Sequence, residues 1–126
     1  MARYMMFVKH AEAGDIGAIP AALGEAMEKF VTEGFKSGAL KDTAGLRPTR
    51  EGYSIRSKAG KLQLTDGPFT EAKEIVGGYA IVEAETPEQA RQMAWDFMEI
   101  HRLHWPEFEC ACEVRPMDGQ EAPHEA

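Results

Sequence analysis

Two kinds of residue in this sequence could move protons. Asp66 stands where a strand-like run enters the turn Asp66-Gly67-Pro68. A carboxylate in a partly apolar cavity there would have a raised pKa and could act as general acid or base. The same residue also suits an Asx-turn, its oxygen accepting the backbone N–H groups of the turn. His101 and His104 are three residues apart and so neighbours on one helix face. His101 falls within the apolar stripe of that helix, facing the sheet. There it is either a proton shuttle oriented by Asp66 or a core histidine with a backbone partner. His104, near the helix end, is favoured by the macrodipole and is a candidate ligand contact. Two histidines are half of a metal site, and no H-E-x-x-H pattern accompanies them, so no metal is expected.

Three further residues are candidate ligand contacts. Lys73 lies between Glu71 and Glu74 in a charged turn that could bind an anion or pair with its own neighbours. Arg115, on the polar side of the last strand, could hold an anion or a cross-strand carboxylate. Tyr79 follows Gly77-Gly78, a pair that suits a bulge or a close backbone approach better than phosphate binding. G-x-G-x-x-G, P-loop and G-x-S-x-G patterns do not occur, so nucleotide and serine-hydrolase chemistry have no support and no cofactor is expected. Cys110 and Cys112 share one strand face and read as small buried hydrophobes.

The elements that must position these residues are legible from periodicity. Residues 3–9 are apolar on both alternating faces, as in a central strand covered on both sides. Pro20 opens a helix carrying Leu23, Met27, Phe30 and Val31, with Gly34 and Gly38 marking its end. Residues 41–50 read as irregular. Tyr53–Ser57 and Lys61–Thr65, joined by Lys58-Ala59-Gly60, read as a hairpin, and residues 70–76 as one helical turn. Tyr79–Ala84 is a strand. Thr86-Pro87-Glu88 then caps a helix expected to reach about His104, and Glu107–Arg115 alternates as the last strand.

This order gives an α+β fold with a ferredoxin-like βαββαβ-type protomer, an extra hairpin strand and two helices on one sheet face. The second sheet face, apolar at Met5 and Phe7, then needs a cover, and a second copy is the economical one: a homodimer forming an α+β barrel. Residues 1–117 read as a single domain and 118–126 as an acidic flexible tail. With 14 basic and 21 acidic residues the net charge is −7, so a nucleic-acid partner is not expected. No apolar run is long enough to cross a membrane, and the N-terminus lacks a secretory pattern, so a cytoplasmic protein is expected.

The segment Thr65-Asp66-Gly67-Pro68-Phe69-Thr70-Glu71-Ala72-Lys73-Glu74, followed by Gly77-Gly78-Tyr79, resembles the DGPF signature of the YCII-related proteins, usually DGPFAETKE. Thr70 and Ala72 depart from it. The resemblance covers residues 3–117 and implies a dimeric α+β barrel. The family's biochemical role is not established in general. One related group carries a His–Asp pair proposed as catalytic, and DGPF-type proteins are often encoded beside extracytoplasmic-function sigma factors. The readings that follow are a dimer binding a small molecule near Asp66 and His101, with or without cofactor-free catalysis of isomerase, lyase or oxygenase type, and a non-catalytic sensor or interaction module in a sigma-factor-linked stress response.

Overall fold

The first strand, β1 (Ala2–His10), is the spine of the molecule. In the computed structural model, which describes residues 1–12, 18–68 and 73–119, it pairs antiparallel with β5 (Ile75–Ala84) on one side and β6 (Cys110–Pro116) on the other. Adding β2 (Leu40–Gly45) beyond β5 completes a four-stranded sheet in the order β2-β5-β1-β6. That order and the helix positions are those of a ferredoxin-like fold. The alternation in β1 sorts its side chains: Ala2, Tyr4 and Met6 are buried toward the helices, while Arg3, Met5 and Phe7 lie on the outer face.

Helix α1 spans Ala21–Ser37 and α2 spans Pro87–His104. The start of α2 is as its sequence reads: the Thr86 side chain accepts the Gln89 N–H at 3.1 Å, Pro87 occupies the first turn and Glu88 faces the positive end of the dipole. Gly38 closes α1 in the left-handed conformation (φ 84°), while Gly34 stays inside the helix.

Three stretches differ from their sequence reading. Residues 40–45, read as mostly irregular, form the edge strand β2; its sequence, LKDTAG, is exposed beyond Leu40 and carries no apolar alternation to betray it. Strand β5 starts at Ile75, where a helical turn over 70–76 was expected to continue; residues 70–72 of that turn lie outside the described residues. The last strand begins at Cys110, because Phe108 is engaged with His10 and Trp105 in the preceding turn.

The hairpin forms as read, from β3 (Tyr53–Lys58) and β4 (Lys61–Asp66), with Ala59 (φ 51°) and Gly60 (φ 75°) turning it. It does not add a strand to the main sheet. It stands as a separate two-stranded sheet, exposed along its whole length. Of the tail expected from 118, residues 120–126 lie outside the described residues. No helix among the described residues is long and apolar enough to cross a membrane.

Candidate functional site

The helix layer does not seal against the whole sheet. Near the start of α2, small side chains let the layers close: Ala2, Tyr4, Ala84, Ala90 and Ala94 form the core there. Toward the other end the sheet presents Gly78 and Ala80 beneath α1, and the layers stand apart. The result is an open cavity of about 1260 Å³. Its floor is Met6, Val8 and Ala80; α1 supplies Leu23, Met27 and Phe30; α2 supplies Met93, Phe97 and His101.

One end of the cavity is aromatic. Trp105 stacks on Phe108 at 4.4 Å between ring centroids, and Phe108 meets His10 at 5.3 Å. Phe97 bridges Phe30 at 6.1 Å and His101 at 4.6 Å. His10 reaches its place because residue 77 is glycine. A Cβ there would lie 2.4 Å from His10 Nε2, and the β1–β5 register skips Gly77 in a bulge.

His101 is 7% exposed and sits on the cavity wall. Its Nδ1 lies 2.9 Å from the Phe97 carbonyl oxygen. A carbonyl oxygen only accepts, so Nδ1 carries the hydrogen, and in the neutral ring Nε2 is left as an acceptor.

Asp66 lies elsewhere. It ends β4 opposite Tyr53, is exposed, and is not on the cavity wall. Among the described residues its carboxylate meets neither His101 nor the turn N–H groups, and Gly67 N–H donates instead to the Gly52 carbonyl at 3.0 Å. Gly67 is the residue of the turn with a demanding contact. A Cβ on it would fall 1.6 Å from the Thr49 carbonyl oxygen, so the hairpin closes directly onto the 3-10 turn Thr49–Glu51. Thr49 is fastened in turn by Glu12, whose carboxylate accepts its N–H at 2.8 Å and its hydroxyl. Those two bonds hold the Glu12 carboxyl below the usual range, and Glu12 is itself on the cavity wall. Thus the Asp-Gly-Pro turn, a glutamate outside any regular element and the cavity rim are mechanically joined. Nothing in the local sequence around Glu12 signals that link.

The other candidates are dispersed. His104 is exposed at the end of α2, and Lys73 is exposed in the link before β5. Arg115 is exposed on the outer sheet face, opposite Met5. Tyr79 donates its hydroxyl to Asp42 Oδ2 at 2.8 Å, which pushes its pKa up, and it also borders the cavity. Cys110 and Cys112 are free thiols raised by burial, Cys112 further by its neighbour. Among the described residues no three of His, Cys, Asp and Glu converge as a metal site would require. Sequence reading missed the helix-facing walls of the cavity. The available signal was the run of small residues Gly77, Gly78 and Ala80 opposite the large apolar stripe of α1.

A relative among known proteins is an uncharacterized protein of Rhizobium meliloti (strain 1021), 33% identical over 61 residues. The match takes in 48% of this chain and spans about half, 49%, of that relative's length. The profile of the YCII-related domain matches residues 2–97, which include β1, the hairpin, the Asp-Gly-Pro turn and most of α2. The chain belongs to the YCII-related domain family.

Proposed function

We propose that this protein is a homodimer that binds a predominantly apolar small molecule between its helices and its sheet, and that it does so without catalysis. The observation that carries this reading is the open cavity of about 1260 Å³ with apolar walls. The cleft is open to solvent, so water or a ligand fills it. Displacing water from its apolar walls favours an apolar occupant at roughly 25 cal/mol for each Å² covered.

A non-catalytic role is supported by the separation of the acid–base candidates. Within one chain His101 has a backbone partner and Asp66 stands out on the hairpin. The homodimer is supported by the outer face of the sheet. Met5, Phe7 and Ile81 lie there side by side, half-buried, between the ion pairs Arg3–Glu83 (3.3 Å) and Lys9–Glu113 (3.2 Å). A second copy would cover that strip and remove its apolar surface from water.

The test is titration of the purified protein with the uncharged dye Nile red, alongside light scattering for mass in solution. Saturable binding of about one dye per chain, abolished by Ala80→Phe in the cavity floor, is the expected result. Dye binding that never saturates, or that Ala80→Phe leaves intact, removes the cavity reading. A monomer mass removes the dimer.

A further inference from the structure

Among the described residues, two ring nitrogens at the α2 side of the cavity wall have no hydrogen-bond partner, the donor Trp105 Nε1–H and His101 Nε2, and the chemistry of the second selects a class of ligand. Most polar groups on the wall already have partners. The Thr43 hydroxyl donates to the Tyr79 carbonyl at 2.8 Å. The Ser37 hydroxyl donates to the Gly34 carbonyl and accepts the Ala39 N–H. Glu12 is engaged by Thr49, and Asp96 accepts from Gln92 at 2.8 Å. His10 has its Nδ1 on the Ala11 carbonyl, and its Nε2 lies where a Cβ on Gly77 would crowd it at 2.4 Å.

The His101 Nδ1 is satisfied by Phe97, and its Nε2, like that of His10, has no hydrogen-bond partner among the described residues. Nor is that nitrogen sealed in: the side-chain polar atom that is both sealed and unpartnered among the described residues is the Tyr4 hydroxyl. Nε2 therefore opens to the cavity, beside the ring of Phe97 at 4.6 Å between centroids. The ionised groups on the wall are Glu12, Glu33 and Asp96 against Arg50, an acidic excess that disfavours an anionic ligand.

Resting on the reading of the cavity as a ligand site, we infer that it selects neutral, flat, largely apolar molecules carrying one N–H or O–H donor, which His101 Nε2 accepts. An apolar molecule of equal size without that donor leaves Nε2 unpaired once water is excluded, and is discriminated against.

The isomers 3-methylindole and 1-methylindole test this, since they share composition and ring shape and only the first has an N–H. Calorimetric titration should give about two- to tenfold tighter binding of 3-methylindole, the worth of one neutral hydrogen bond. The ¹⁵N resonance of His101 Nε2 should move with 3-methylindole and stay with 1-methylindole, and His101→Phe should erase the preference while retaining binding. Equal affinities with an unmoved Nε2 resonance would overturn the inference and leave the cavity reading standing. Failure of both isomers to bind would overturn both. Should His101→Phe not fold, the isomer pair and the resonance on the unaltered protein decide alone.

Discussion

The two halves of the interface between helices and sheet are built from the same elements and end differently. In the half near the start of α2, Ala90 and Ala94 bring the helix down onto Ala2, Tyr4 and Ala84, and only a smaller open cleft of about 430 Å³ remains beside them, toward Trp95 and Val114. In the other half the small residues are on the sheet, at Gly78 and Ala80, while α1 offers Met27, Phe30 and Val31, which remain only partly covered. Small residues on a helix let it approach; small residues on the sheet beneath a helix held off by its own large side chains leave space. Composition alone does not separate the two cases. Which partner carries the small residue does.

That contrast can be broken by substitution. The largest effect is expected from Leu40→Ala. Leu40 is 9% exposed, packs against the end of α1 at Gly34, and joins the buried core to the cavity wall. Urea unfolding should show a loss of about 2–4 kcal/mol. Next come two enlargements of alanine. Ala90→Leu in the closed half should cost about 1–3 kcal/mol through overpacking. Ala80→Leu in the open half should cost nothing or add stability, since its side chain enters the cavity. Equal losses for both would mean that the cavity closes in solution. A smaller change is expected at Tyr4, whose hydroxyl is sealed without a partner. Tyr4→Phe should be neutral or stabilising by about 1 kcal/mol, because an unsatisfied buried group is removed.

The smallest effect concerns the two thiols of β6. Burial holds Cys110 and Cys112 above the ordinary thiol range. The stability this contributes is whole below the unfolded thiol range and is lost as pH rises through the raised folded values. Alkylation by iodoacetamide at about pH 8 should run several-fold slower than for an unfolded control, and a bound apolar ligand should slow Cys112 further, since Cys112 borders the cavity. Alkylation as fast as in the unfolded chain would show that the thiols are not sheltered.

The hairpin sharpens the contrast from outside. Its register puts Tyr53, Ile55, Leu62 and Leu64 on one face, each more than half exposed, and Arg56, Lys58 and Lys61 on the other. A two-stranded hairpin of this kind is marginal alone. What ties it down is its base, where Gly67 lies on Thr49 and Thr49 on Glu12. The Asp-Gly-Pro turn was read for the carboxylate of Asp66; the contact that demands a particular residue is at Gly67.

Much of this was legible residue by residue. The caps and span of α2, the double-sided character of β1, the turn of the hairpin and the burial of His101 all follow from local chemistry: a side-chain oxygen before a proline, alternation along a strand, a glycine in a left-handed turn, a stripe at helical spacing. These are decided within a few residues, so a sequence determines them by itself. The edge strand β2, the place of the hairpin outside the main sheet, the separation of Asp66 from His101 and the cavity are not of that kind. Each depends on which distant segments meet: β2 acquires its structure from β5, and the cavity exists because α1 lies over Gly78 and Ala80. Such encounters are chosen by the packing of whole layers, and only the tertiary structure decides them.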